Sequence, residues 1–260
     1  MKRGRVAFAG AVHAATPAAE PGRIRLADGR TPREDEVVWL PPFEPGTIVA
    51  LGLNYADHAK ELAFSKQAEP LVFFKSASSL VGHRGTTARP ADVTFMHHEC
   101  ELAVVIGAPA RRVRRADAMA HVAGYTVAND YAFRDYLENW SRPNLRVKNR
   151  DGATALGPWL VDRADFADEN PTFALRTTVD GREVQRGHTR DLVADVPSLI
   201  EYLSGFMTLA PGDVILTGTP EGIVDVPVGS RVVCEIDGLG ALENTVVARE
   251  VYNAGPWTVS

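Results

Sequence analysis

The sequence predicts a strand-dominated α+β fold, a mixed β-roll carrying a small N-terminal lobe. Short apolar strand-like runs outnumber helical segments, and the helices do not alternate regularly with the strands, which excludes a simple βαβ repeat. The first 46 residues also differ in texture from the rest: short, rich in Gly and Pro, and poor in helical periodicity. The expected division is therefore a small N-terminal lobe over 1–46 and a main domain over 47–260.

Within the lobe, strands are predicted at 5–9, 23–26 and 37–40, the last stopped by Pro41-Pro42. From Thr47 onward longer apolar strands follow at 48–53, 71–74, 102–106 and 124–128, then at 173–179, 214–216 and 232–236. A short helix is predicted over 55–63, with Asn54 placed as its N-cap. A second is predicted over 195–206, where Val196, Leu199, Ile200, Leu203 and Phe206 recur at three- and four-residue spacing. The basic run Arg111-Arg112-Val113-Arg114-Arg115 follows Gly107-Ala108-Pro109 and reads as a solvated turn rather than an anion site.

Composition narrows the function classes. The 260 residues are 45% apolar and 23% charged, the balance of an ordinary globular protein, and a net charge of −5 argues against a nucleic-acid partner. Two distant cysteines, Cys100 and Cys234, support neither a disulfide framework nor a thiolate metal site. No run approaches the ~18–20 apolar residues of a membrane span. The apolar part of the N-terminus is broken by Gly10 and His13, so a cytoplasmic protein is expected rather than a secreted one.

Five stretches carry candidate chemistry. In His97-His98-Glu99-Cys100-Glu101, the two glutamates enter an apolar strand two residues apart, so their carboxylates share a face while Cys100 points away. Like charges so close call for neutralisation, and a hard cation such as Mg²⁺ or Mn²⁺ prefers carboxylate oxygen. At this level the motif fits a solvated strand edge equally well. Asp130 ends the strand 124–128 and its Asn-Asp extension, where it either completes a three-carboxylate set or simply marks a turn. In His58-Ala59-Lys60-Glu61, helical spacing lets Glu61 steer the imidazole of His58 as a general base requires; alone, the pattern fits an incidental surface histidine better.

The stretch from Arg142 to Gly152 holds Arg142, Arg146, Lys148 and Arg150, a loop suited either to solvent or to an anionic substrate with several carboxylates. The turn Thr217-Gly218-Thr219-Pro220-Glu221-Gly222 offers free N–H groups and the Thr219 hydroxyl to a carboxylate, and lacks the signature of a nucleotide phosphate loop. His97 and His98, adjacent on a strand and so facing opposite ways, are candidates for supporting or structural roles only.

In this order, Asn54-Tyr55, His58, Glu61, Phe73-Phe74-Lys75, Glu99-x-Glu101, Asp130, Lys148 and the 217–222 turn resemble the fumarylacetoacetate hydrolase family over residues 47–247. The stretches 135–139, 142–152, 202–204 and 206–209 resemble the branch that isomerises and decarboxylates the tricarboxylates of aromatic catabolism. The resemblance implies a usually dimeric β-roll enzyme, here a homodimer, with Mg²⁺ or Mn²⁺ held by Glu99, Glu101 and Asp130. It implies a His58/Glu61 pair for proton transfer on a helix that orders over substrate, and Lys148 near the reacting carbons. Lys75 and Thr219 would lie nearby, with Arg142, Arg146 and Arg150 for distal carboxylates.

The implied reaction is decarboxylation of 5-oxopent-3-ene-1,2,5-tricarboxylate to 2-hydroxyhepta-2,4-diene-1,7-dioate, the charge left by CO₂ being stabilised on the keto oxygen as a dienolate. Isomerisation of that product, hydrolysis of an acylpyruvate and decarboxylation of oxaloacetate use the same electronics. A non-catalytic metal- or ligand-binding subunit is the alternative from another class; retention of His58, Glu61 and Lys148 speaks against it.

Overall fold

The computed structural model describes residues 1–57, 69–137 and 144–249. The predicted helix over 55–63 falls largely outside them, as do His58, Glu61 and Arg142.

The described chain carries β1 (Lys2–Phe8), β2 (Ala11–Pro17), β3 (Ile24–Leu26), β4 (Val38–Leu40), β5 (Ile48–Gly52), β6 (Leu71–Lys75), β7 (Leu80–Val81), β8 (Thr86–Pro90) and β9 (Met96–His97). It continues through β10 (Cys100–Ile106), β11 (Val122–Asp130), β12 (Ala132–Phe133), a single-turn helix α1 (Leu145–Lys148), β13 (Thr154–Asp162), β14 (Ala174–Val179) and β15 (Arg182–His188). Helix α2 (Val196–Phe206), β16 (Val214–Leu216), β17 (Arg231–Ile236) and β18 (Gly240–Arg249) complete it. Strand dominance, as predicted, is the character of the fold.

Most strands join one large mixed sheet in the order β3-β2-β1-β13-β11-β10-β16-β5-β6. The sheet is rolled. After β6 a 3₁₀ turn, Ala77–Ser79, leads into β7, and β7 pairs in parallel with β13, so the β6 end returns to the middle of its own sheet. A second sheet, β15-β14-β17-β18-β8, lies against β10, β11 and β13. The period of two along β10 divides its side chains: Leu102, Val104 and Ile106 belong to the large core, while Ala103 joins Ala50, Ala128, Leu156 and Leu216 in the smaller interior of the roll. Small alanines suit that tightly curved interior. The first 46 residues are stitched on through β1, which pairs with β13 at Lys2↔Val161 and Arg3↔Leu160, and their Val6, Ile24 and Trp39 share the large core.

Helix α2 starts where the sequence places it: Asp195 is the N-cap and its Oδ1 accepts from the Ser198 N–H at 3.0 Å. Asn54, predicted as the N-cap of the helix that lies largely outside the described residues, ties chain segments together. Its Nδ2 donates to Thr217 O (2.9 Å) and Ala194 O (3.0 Å), and its Oδ1 accepts from Ala194 N–H (2.8 Å). The basic turn at 111–115 is exposed, as expected, yet not free: Arg111 donates to the carbonyls of Ser204 and Gly205 at the end of α2, satisfying helix carbonyls that have no intrahelical partner. Strand β13 escapes sequence detection because Gly157-Pro158 reads as a break; the pairing with β11 shifts register there, between Tyr125↔Val161 and Val127↔Gly157, and the irregularity accommodates the proline.

Candidate active site

The register of one strand pair assembles the acidic residues. Cys100 lies opposite Asn129 and Glu101 opposite Ala128, so one step further Glu99 faces Asp130, and Glu101 sits diagonal to it on the same face of the pleat. The link is reinforced where pairing ends: Asp130 N–H donates to Glu99 O (3.0 Å), and Glu99 N–H to Asn129 Oδ1 (2.9 Å). The three residues each bring a carboxylate oxygen within 4.8 Å of the others, and all three are buried.

Two lysines face this cluster. Lys148, at the end of α1, places Nζ 2.6 Å from Glu99 Oε2 and 3.0 Å from Asp130 Oδ2. Lys75, ending β6, bonds to Asp130 Oδ1 and to the Lys148 carbonyl. Burial disfavours both ammonium charges, but the outcomes differ. Asp130, Glu99 and Glu101 outweigh burial at Lys148 and raise its pKa above the ordinary lysine value. At Lys75, burial together with the neighbouring Lys148 charge outweighs Asp130 and lowers it.

Glu101 is the most constrained of the three. Burial first, then Asp130 and Glu99, push its carboxyl well above the usual range, against the pull of Lys148 and the Gly218 N–H. Its Oε2 accepts from Gly218 N–H at 2.7 Å, while its Oε1 is buried and has no partner among the described residues. An orphaned carboxylate oxygen beside two more carboxylates is a fitting donor set for a hard divalent cation. The set of oxygens, free of thiolate and imidazole, suits Mg²⁺ or Mn²⁺.

The 217–222 turn was expected to offer its N–H groups to a carboxylate; the one it holds is the protein's own Glu101. Gly218 has φ +91°, and a Cβ there would stand 3.1 Å from Asn54 Cβ, so glycine is required by both backbone and space. Thr219 is buried beside it, its Oγ1 accepting from Gln185 Nε2 at 3.0 Å. No sequence signal marks Gln185, an isolated amide on β15.

Of the loop arginines, Arg150 lies over the rings of Tyr136 (4.2 Å to the centroid) and Phe133 (5.5 Å), and exposed Arg146 over Tyr136 at 4.5 Å. Tyr136 is fixed in turn by its hydroxyl donating to Asp92 Oδ1 at 2.7 Å. The structure gathers Glu99, Glu101, Asp130, Lys75 and Lys148 into one buried cluster, and holds Thr219 one residue from the Gly218–Glu101 bond. His97, fully buried, reaches 3.5 Å from Glu99 Oε1 and bonds through Nδ1 to His98 O at 3.3 Å. His98 is also buried, with no partner for either ring nitrogen among the described residues, and burial holds its pKa down at about 4.

Comparison with known proteins gives consistent findings. Residues 47–247 match the family described as fumarylacetoacetate (FAA) hydrolase, C-terminal. A 4-hydroxyphenylacetate degradation bifunctional isomerase/decarboxylase of Salmonella dublin is 54% identical over 228 residues, 88% of this chain and 53% of that protein. The chain thus spans about half the length of that curated relative. The crystal structure of 5-carboxymethyl-2-hydroxymuconate delta-isomerase from Mycobacterium smegmatis superposes with a TM-score of 0.83 at 35% identity, covering 96% of this chain and 99% of that one. Fumarylpyruvate hydrolase from Pseudomonas aeruginosa, solved with Mn²⁺ and pyruvate, superposes at 0.73 and 32% identity over 83% of this chain and 93% of that one.

Proposed function

The chain belongs to the fumarylacetoacetate hydrolase family, and from that premise we propose that it is a divalent-cation-dependent enzyme that decarboxylates 5-oxopent-3-ene-1,2,5-tricarboxylate to 2-hydroxyhepta-2,4-diene-1,7-dioate. The observation that carries the reading is the buried set Glu99, Glu101 and Asp130 with an unpartnered Glu101 oxygen, flanked by Lys148 and Lys75. Mg²⁺ or Mn²⁺ held by those three carboxylates would supply Lewis acidity at the 2-oxo group.

The protein's own groups do the rest. Lys148 places a fixed positive charge in a buried site, where it favours the negative charge that develops as CO₂ leaves. The electron pair of the breaking C–C bond moves through the conjugated C=C onto the keto oxygen, and a proton on that oxygen completes the 2-hydroxy diene. Lys75 holds Asp130 and the Lys148 backbone in place. His58, steered by Glu61, is the proton-transfer pair; Arg142, Arg146 and Arg150 take the distal carboxylates, and Thr219 an oxygen at the 2-oxo acid end. Taking the hydroxyl proton from the 2-hydroxy diene and returning a proton to carbon would make the same scaffold an isomerase of that product, which the mixed names of the relatives favour as a second reading. In this reading residues 47–260 hold the catalytic groups, 1–46 form the small N-terminal lobe, and the protein is a cytoplasmic homodimer.

The test is an ultraviolet assay on the tricarboxylate with CO₂ monitored, in Mg²⁺ and then in chelator. Metal-dependent CO₂ release is expected. A spectral change without CO₂ would replace the decarboxylase by the isomerase, and turnover indifferent to chelation would overturn the scheme.

A further inference from the structure

Gln185 lies on β15, outside the acidic cluster, and is 2% exposed. Both of its amide hydrogens are engaged: Nε2 donates to Thr219 Oγ1 at 3.0 Å and to Pro220 O at 2.8 Å. Its Oε1 accepts from the hydroxyl of Thr177, also buried, at 2.9 Å. The orientation of the amide is unambiguous, because a proline carbonyl can only accept and must face the nitrogen. Thr219 Oγ1 is therefore an acceptor on its β15 side, and its own proton has to leave in another direction. No described residue accepts that proton. The next residue back, Gly218, binds Glu101 through its N–H, so Thr219 follows directly on the contact that joins the turn to the carboxylate cluster.

We propose that Gln185 is a positioning residue: by occupying Thr219 Oγ1 from behind, it turns the Thr219 hydroxyl proton toward the substrate and makes Thr219 a dedicated donor to an anionic oxygen of a 2-oxo acid. This rests on the site assignment above. With the Gln185 amide held by Thr177 of β14 on one side and by the turn on the other, the donor is preset before substrate arrives, and a ligand presenting an acceptor oxygen is favoured over one presenting a hydroxyl. A buried glutamine serving only to hold the turn would instead act through Gly218 on Glu101, and its loss would be felt in cation binding.

The test is calorimetric titration of the Mg²⁺-loaded full chain with oxalate, a rigid dianion that resembles the 2-oxo carboxylate end. Wild type is compared with Gln185→Met, Thr219→Val and the double variant, and Mg²⁺ affinity is measured alongside. Thr219→Val is expected to weaken oxalate by about tenfold, the loss of one hydrogen bond to a charged group, and Gln185→Met by several-fold, because the hydroxyl remains but is no longer turned toward the ligand. The double variant should match Thr219→Val within about twofold, with Mg²⁺ affinity unchanged, because Gln185 acts only through the Thr219 hydroxyl and has nothing to orient once that is gone. Losses that multiply, or a fall in Mg²⁺ affinity in Gln185→Met, would overturn the proposal in favour of a structural role. Should Gln185→Met fail to fold, Gln185→Glu carries the same test: its carboxylate recaptures the Thr219 proton and should weaken oxalate equally, and wild-type affinity there would sink the idea. If wild type itself does not bind oxalate, the assignment of the whole site falls and takes this inference with it, whereas equal binding by all variants overturns this inference alone.

Discussion

Glu101 is a carboxylate fully buried next to two others, with one oxygen held by Gly218 N–H and the other, among the described residues, without a partner. Such a carboxylate is costly to keep unless a cation completes it. Glu101→Gln keeps the shape and removes the charge. Its Mg²⁺ affinity, measured by calorimetry, should fall at least ~10²-fold, beyond the 10–100-fold typical of residues that only support a ligand. The metal-free variant should unfold at no lower denaturant concentration than wild type, since like-charge repulsion is relieved. Retention of Mg²⁺ affinity within a few-fold would remove Glu101 from the ligand set. The two lysines illustrate the same balance in reverse: Lys148 faces three carboxylates and gains charge stability, Lys75 faces one and a second cation and loses it.

Elements, rather than single residues, carry the junction between the N-terminal segment and the second sheet. His83, in the turn between β7 and β8, accepts the Glu243 N–H of β18 on Nδ1 (3.1 Å) and meets the Trp39 ring of β4 edge-on at 5.2 Å. Burial, with the cations of Arg84 and Arg231 and against the charge of Glu243, lowers its pKa to about 4. The fold therefore keeps His83 neutral where the unfolded chain, with a pKa near 6.5, binds a proton. Stability is full above about pH 6.5 and is lost as pH falls toward 4, with about 2 kcal/mol gone by pH 5. His83→Asn, which keeps an acceptor but cannot titrate, should show a flatter loss in urea unfolding between pH 7 and 5. Parallel pH profiles for the two proteins would discard this assignment. His98, also held at about 4, titrates in both proteins and cancels from the comparison.

For the whole molecule, the site is a place where distant parts of the rolled sheet meet. Its carboxylates come from the start of β10, the residue just before it, and the end of β11, and its lysines from β6 and α1. The turn behind it follows β16 and is braced by β15 and Asn54. A cation that binds only this assembled arrangement stabilises the entire fold by mass action. At one hundred times its dissociation constant, Mg²⁺ should add about 2.7 kcal/mol, a rise in Tm on the order of 5–10 °C for a chain of this size. The rise should vanish in chelator and in Glu101→Gln; an equal rise in that variant would place the cation elsewhere.

Sequence by itself determined the local terms. The period of two set Glu99 and Glu101 on one face with Cys100 turned away into the core, and the spacing of Val196, Leu199, Ile200 and Leu203 set the buried side of α2. The prevalence of short apolar runs over helical ones set the fold class, and the order of motifs over 47–247 pointed to the family that the comparisons show. Only tertiary structure decided the rest: that Asp130 lies across from Glu99, that Lys75 and Lys148 converge on it from opposite directions along the chain, and that Gly218 holds Glu101 while Gln185 holds Thr219. The reason is physical. Side-chain direction along a strand follows from a few neighbouring residues, whereas contact between residues 18, 55 or 117 positions apart depends on strand register and the closure of the roll, which the packing of the whole core selects.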